Sequence, residues 1–249
     1  MSLASHIFLS GAQRRMLQRH WSLFVFHKVA RPPAQTQDRF EYQSPARFAE
    51  RLAALQSSGL IPATLDELPA GLNQGAGRFS VTFDDGYAHV IENALAVLQQ
   101  QKVSAIQFIV AGKLGGRNDW DIAKGDVAEA LMNETQIREW LAAGQSIGSH
   151  SLTHPNLRKI PRAQAREEIG ASRKRLEDLF DVPVRHFCYP YGSYDTAVRD
   201  LVEEAGYRTA STVKHGCNAA GADVFQLRRI APMSAGELVA KAWHRLTRR

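Results

Sequence analysis

Apolar residues run along this chain in two alternating textures. Short unbroken apolar runs, of the kind buried on both faces of a parallel sheet, alternate with longer stretches in which apolar positions return every three or four residues, the period of a helix with one buried face. The runs at 22–26, 79–83, 104–110, 145–149, 184–189, 208–213 and 224–228 predict strands. The helical stretches fall near 45–57 (Phe48, Leu52, Leu55), 88–101 (Val90, Ala94, Val97, Leu98), 134–143, 162–180 and 195–205. Gly144 and Gly206 stand where helix C-caps are expected, and Ser234 with Glu237 reads as a capping box opening a last helix that runs to Leu246. Repeated strand–helix units without an internal sequence repeat predict one α/β domain, a distorted (β/α) barrel of about seven strands over 22–249, preceded by a basic segment, 1–21. The longest irregular stretch, 111–133, reads as a surface loop around Gly115-Gly116-Arg117-Asn118-Asp119-Trp120-Asp121.

Composition sharpens this outline. With 249 residues and 44% hydrophobic content, the chain can bury one large core. The formal net charge of +6 sits at the ends, on Arg14, Arg15 and Arg19 and on Lys241, Arg245, Arg248 and Arg249 against Glu237, so the body between is neutral. A neutral body argues against a nucleic-acid-binding face, whereas basic ends either suit weak attraction to an anionic surface or carry no meaning. Two cysteines, Cys188 and Cys217, are too few for a disulfide framework, and a reducing compartment is the simpler expectation. The run His6-Ile7-Phe8-Leu9 is too short for a signal peptide. The Arg14-Arg15 pair hints at a twin-arginine signal, but Leu23-Phe24-Val25-Phe26 runs straight into His27. The expectation is a cytoplasmic protein, with peripheral contact at the inner membrane as the variant suggested by the basic ends.

Chemistry in such barrels sits in the loops after the C-terminal strand ends. Four polar groups fall there: His27, Asp84-Asp85-Gly86, Ser149-His150-Ser151-Leu152-Thr153-His154, and Pro190-Tyr191-Gly192 after Cys188-Tyr189. Two adjacent carboxylates after a buried strand are costly unless a cation stands by, and a divalent metal would remove that cost. Taken alone the pair is equally an Asp-Gly turn with Asp84 as N-cap of the next helix. His150 and His154 can face one centre if the segment coils by about one helical turn, although such a pair is also common on surfaces. In combination, two histidines and one carboxylate leave a fourth position open, the arrangement of a hydrolytic zinc site, and the second carboxylate is free to act as base.

At these residues the sequence resembles the polysaccharide deacetylases of carbohydrate esterase family 4, the NodB-homology family. Thr-Phe-Asp-Asp-Gly (82–86), Ser-His-Ser-Leu-Thr-His (149–154) and Tyr-Pro-Tyr-Gly (189–192) resemble its first three motifs in order and approximate spacing, and the likeness covers roughly residues 22–230. The resemblance implies that Asp85, His150 and His154 bind a divalent metal, foremost Zn²⁺ with Co²⁺ or Ni²⁺ as variants. It further implies that Asp84 is the general base, and that the Tyr191 N–H helps to hold an oxyanion. The implied activity is hydrolysis of the N-acetyl group of an acetamido sugar in a glycan or glycan precursor, with release of acetate.

Two features depart from the pattern. Cys188 stands where the family places an arginine beside the base, and Gln226-Leu227-Arg228-Arg229-Ile230 lacks the histidine of the family's Leu-x-His motif. The phrase Phe26-His27-Lys28-Val29 is similar to the branch of poly-N-acetylglucosamine deacetylases, in which a histidine on the first strand takes the acid role, and this assigns the acid to His27. Arg228 or Arg229 is the candidate for the missing arginine. Trp120, Tyr191 and Tyr194 are candidates for stacking on a pyranose ring, with Trp120 equally readable as a loop anchor packed onto the barrel; Arg229 is expected to bind the substrate beside them, while Trp140, within a helix, is expected to pack. Two other readings stay open: a deformylase or other amidohydrolase of the same superfamily, and a non-catalytic glycan-binding barrel. The favoured substrate class is a lipid-linked, nucleotide-linked or soluble sugar intermediate.

Overall fold

The structure is a computed structural model and describes residues 10–68, 77–233 and 237. Ten strands are present among them: β1 (Trp21–Phe26), β2 (Lys28–Val29), β3 (Tyr42–Gln43), β4 (Ile61–Pro62), β5 (Arg78–Phe83), β6 (Ala105–Ile109), β7 (Ser146–Ser149), β8 (His186–Cys188), β9 (Thr209–His215) and β10 (Leu227–Ile230). The strands β1, β10, β9, β8, β7, β6 and β5 pair in parallel in that order, and β1 pairs back to β5 from Trp21↔Arg78 to Phe26↔Phe83, which closes a seven-strand ring. β4 joins β5 through Ile61↔Arg78 and Pro62↔Phe79, and β2 and β3 form a separate two-stranded ribbon.

Alternation along each strand divides the core into two shells. Trp21, Leu23, Ile106, Phe108, Cys188 and Leu227 fill the barrel interior, and Leu65 and Leu68 plug its lower end. Phe24, Phe79, Phe83, Ile109 and Phe187 belong to the outer shell, packed with helix residues such as Phe48, Leu98, Trp140 and Leu176. One interior position requires glycine. A Cβ on Gly148 would stand 2.6 Å from the Phe108 ring and 2.8 Å from the His186 carbonyl oxygen. Trp140 is fully buried and donates its indole N–H to Ser146 O at 2.9 Å, the packing role expected of it.

The helices Pro45–Ser57, Ala88–Gln101, Glu134–Ala142, Arg162–Phe180 and Thr196–Glu204 lie where the apolar period placed them, and Gly144 and Gly206 take the left-handed φ values of 78° and 81° after their helices. Two expectations change. The strand expected at 224–228 begins at Leu227, because the Asp223 carboxylate accepts the Phe225 N–H at 2.8 Å and winds Val224–Gln226 into a 3₁₀ turn. The stretch 111–133 is not open surface loop: it holds a short helix (Asp119–Ile122) and bridges Arg117↔Ala130 and Tyr87↔Leu131, and it buries Trp120, Leu131 and Met132. Within the basic segment 1–21, Gly11–Leu17 is a helix that buries Leu17 in the outer shell. The helix expected from Ser234 to Leu246 lies outside the described residues apart from Glu237, whose carboxylate pairs with Arg47 at 2.6 Å and Arg51 at 2.7 Å.

Candidate active site

The strand β5 places Ser80, Thr82 and then Asp84 on the interior face, so the Asp84 carboxylate enters the mouth of the barrel. Asp85, in the left-handed region at φ 73°, turns its own carboxylate toward the loop after β7. Asp84 is not a helix N-cap, for the helix Ala88–Gln101 is preceded by Tyr87. Beyond β7, the His150 N–H donates to Ile109 O at 2.8 Å, and the chain then passes through Ser151 (φ 66°) and His154 (φ 65°). The two histidines therefore converge through left-handed turns rather than through the helical turn expected. Four non-glycine residues with positive φ, Asp85, Ser151, His154 and Tyr191, lie around this cleft, and such strain persists only where surrounding contacts over-determine it.

The Nε2 atoms of His150 and His154 each lie 3.3 Å from Asp85 Oδ1, and all three side chains are buried. Ligands on bonds of about 2.0–2.1 Å at tetrahedral angles stand about 3.3–3.4 Å apart, so the spacing suits a zinc-sized ion. The chemistry of the donors fits as well. His150 Nδ1 lies 2.7 Å from the Cys188 carbonyl oxygen. Because a carbonyl only accepts, Nδ1 carries a hydrogen, which leaves Nε2 as the nitrogen that would ligate an ion. Burial would raise the Asp85 carboxyl, but hydrogen bonds from the two imidazoles hold it well below the usual carboxylate range, and burial lowers His154, favouring its neutral form.

Asp84 has a different neighbour. Arg229 Nη1 donates to Asp84 Oδ1 and Nη2 to Asp84 Oδ2, both at 2.7 Å. The same guanidinium donates to Thr82 Oγ1 at 3.1 Å and to the Thr212 carbonyl oxygen at 2.8 Å, and lies 3.2 Å from Cys188 Sγ. Arg229 lines the floor of the cleft, is 2% exposed, and has its donors engaged by the protein. A register shift aims it: between Leu227↔Ser211 and Arg229↔His215, β10 advances two residues while β9 advances four. Burial alone would raise the Asp84 carboxyl; the guanidinium outweighs it and keeps the group below its ordinary value. Burial pushes the Cys188 thiol up, so it remains protonated.

His27, at the end of β1, is partly exposed, and its Nε2 is 3.8 Å from Asp84 Oδ2, within ionic reach but beyond a hydrogen bond. Tyr191 lies in the turn Pro190–Gly192 at φ 59°, its ring edge-on to His154 at 4.7 Å. Trp120 stacks on His154 at 4.2 Å and is 9% exposed, so the imidazole occupies a ring face expected to meet sugar. Tyr194 stands apart from this cleft. Its ring stacks on Tyr189 at 4.6 Å, its hydroxyl donates to Gln226 at 2.8 Å, and it lines a neighbouring groove with Lys214 and Asp195. The cleft itself encloses about 560 Å³ and takes in His27, Asp84, Asp85, His150, His154 and Tyr191. It is also lined by Asp38, Glu41, Asp121, Lys124 and His215, which the sequence reading passed over. Asp121 lay within the stretch read as a surface loop, but Asp38 and Glu41 belong to a segment with no apolar period to place them.

Residues 72–210 match the profile of the polysaccharide deacetylase family, and the chain belongs to that family. Among curated proteins it is 25% identical over 143 residues to a chitooligosaccharide deacetylase of Azorhizobium caulinodans, a match covering 57% of this chain and 61% of that one. It is 24% identical over 170 residues to a poly-beta-1,6-N-acetyl-D-glucosamine N-deacetylase of Staphylococcus aureus, covering 66% and 57% respectively. The chain thus spans less than two thirds of the length of these relatives. Among solved structures the fold is shared with IcaB from Ammonifex degensii (TM-score 0.76, 22% identity, 91% of this chain and 97% of that one). It is also shared with a polysaccharide deacetylase from Bacillus cereus (TM-score 0.73, 24% identity, 89% and 68%). His27 and Arg229 lie outside the family match, and it is the closed barrel that brings them to Asp84.

Proposed function

We propose that the protein is a metal-dependent N-deacetylase of acetamido sugars. One observation carries this reading: an Asp85–His150–His154 donor triangle of zinc dimensions stands beside a second, arginine-held carboxylate in one cleft. Asp85, His150 and His154 would hold the ion. When bound, a divalent ion supplies a Lewis acid that acidifies water and polarises the acetamide carbonyl.

The remaining steps belong to side chains of this chain. Arg229 keeps Asp84 ionised despite its burial, so Asp84 is able to accept the proton of the attacking water near neutral pH. The left-handed turn at Tyr191 offers its N–H as a donor to the developing oxyanion, an interaction worth roughly 3 kcal/mol in comparable sites. His27, at the cleft wall facing Asp84, gives a proton to the departing nitrogen, because an amine leaves as a neutral group only once protonated. Water adds to the carbonyl carbon, the C–N bond breaks, and acetate and a free amino sugar result.

The names of the curated relatives, a chitooligosaccharide and a β-1,6-linked N-acetylglucosamine polymer, support an N-acetylated hexosamine as substrate class. The test is acetate release from N-acetylglucosamine oligomers by protein loaded with Zn²⁺, Co²⁺ or Ni²⁺, beside Asp84→Asn protein. Acetate release by the parent, lost in the variant while one ion per chain is retained, supports the reading. A metal-loaded parent that binds oligomers and releases no acetate returns the chain to the non-catalytic barrel.

A further inference from the structure

From Ser151 to His154 the chain passes through two left-handed residues, Ser151 and His154, a conformation that non-glycine residues do not hold unaided. The helix Arg162–Phe180, on the outside of the barrel, supplies what holds it. Glu168, 6% exposed, accepts the Leu152 N–H at 2.9 Å and the Thr153 N–H at 2.8 Å on Oε2, and the Thr153 hydroxyl at 2.5 Å on Oε1. One helical turn on, the hydroxyls of Ser172 and Ser149 lie 2.7 Å apart, and a further turn on, Arg175 Nε donates to Ala111 O at 2.9 Å. Residues 168, 172 and 175 share one helix face, so a single polar stripe reaches the β7 strand end and the loops after both β6 and β7. Those two loops are in turn zipped together by Ala111 N–H to Ser151 O (3.0 Å) and Gly112 N–H to Leu152 O (2.7 Å).

We infer that Glu168 is a positioning residue for the metal site: its buried carboxylate fixes the loop that carries both imidazoles, so that they converge on Asp85 before an ion arrives. The inference rests on the metal reading above and extends it to a residue that touches no ligand atom. The physical argument is preorganisation. Without the carboxylate, Leu152 and Thr153 lose their acceptor and the loop relaxes from its left-handed turns, so ion binding must then restore the order. Supports that orient metal ligands from behind alter affinity by about 10–100-fold.

The side-chain chemistry supplies an internal control. A glutamine at 168 can accept both N–H groups on its carbonyl oxygen and donate to the Thr153 hydroxyl, so it preserves the bracket without the charge, whereas alanine removes it.

The experiment is a zinc titration against a competing chelator on the parent, Glu168→Ala and Glu168→Gln proteins, with amide hydrogen exchange at Leu152 and Thr153 in the metal-free state. The expected result is a zinc Kd raised about 10–100-fold in Glu168→Ala and within about threefold of the parent in Glu168→Gln. Exchange at the two amides is expected to be faster in the alanine variant alone. Equal zinc affinity in parent and folded Glu168→Ala overturns the inference, as does equal loss in both variants. A parent that takes up no zinc overturns the metal reading and this inference with it. Should Glu168→Ala fail to fold, Thr153→Val, which removes only the hydroxyl bond, and Glu168→Asp, which withdraws the carboxylate by one methylene, carry the same comparison. Both are expected to weaken zinc binding, and parent-like affinity in both overturns the inference.

Discussion

Arg229 grips Asp84 through two parallel bonds of 2.7 Å from opposite sides of the barrel closure, one partner on β10 and the other at the end of β5. Only a guanidinium makes this planar two-point contact; an ammonium at the same place would keep the charge and lose the fork. Arg229→Lys is therefore expected to fold, to bind metal as the parent does, and to turn over about 10–100-fold more slowly, by analogy with other supports of a reacting group. The direction of the pH effect follows from Asp84. Its carboxyl lies below the ordinary value because the guanidinium outweighs burial, and only its ionised form accepts a proton. Weakening the pair lets burial raise it, so the acid limb of kcat/KM against pH should move to higher pH in the variant. An unmoved acid limb would separate Arg229 from the base.

His27 stands 3.8 Å from Asp84, and its proposed task is to protonate a poor leaving group. That task depends on the substrate. An N-acetyl amide needs the proton, whereas an activated aryl acetate expels a phenolate without it. His27→Ala should lose about 10²–10⁴-fold on the amide and far less on the aryl ester, with zinc stoichiometry unchanged. Parallel losses on both substrates would show that His27 supports the cleft rather than the leaving group.

The strands and helices were legible because each apolar period has one structural solution, and the family motifs were legible because their residues are contiguous at single strand ends. Long-range pairings were not. The choice between Arg228 and Arg229 was open in the sequence, although side-chain alternation from the interior residue Leu227 points to 229, because the register shift against β9 leaves no local trace. Glu168 was hidden in a helix most of whose polar positions face water, and nothing in its neighbours marks it as buried. The strand misplaced at 224–228 failed for the opposite reason: Val224 and Phe225 are apolar, but the Asp223 side chain wins the local competition for the backbone N–H.

Gly148 sits among the interior side chains directly below His150. An added methyl meets the Phe108 ring at 2.6 Å and the His186 carbonyl oxygen at 2.8 Å, and the second of these is backbone that no rotamer change relieves. Gly148→Ala is expected to cost about 1–3 kcal/mol, read as a Tm lower by several degrees, with metal affinity reduced as β7 shifts. An unchanged Tm would mean that the barrel interior has room the packing does not show.

Trp120 and Tyr194 carried the same expectation, and the structure gives them different consequences. Trp120 lies against the His154 imidazole at 4.2 Å with little surface left over, so it buttresses a proposed ligand. Trp120→Ala should weaken zinc binding and lower kcat together, since the imidazole loses the wall that orients it. Tyr194 has its ring on Tyr189 and its hydroxyl on Gln226, outside the cleft that holds Asp84. Tyr194→Phe should leave zinc affinity, kcat and KM for short oligomers near parental values. The pair is decisive when measured on one substrate: a Trp120→Ala protein with parental zinc affinity but raised KM would return the indole to sugar stacking. A raised KM in Tyr194→Phe would extend the glycan path past Gly192 into the neighbouring groove, which both cavities border.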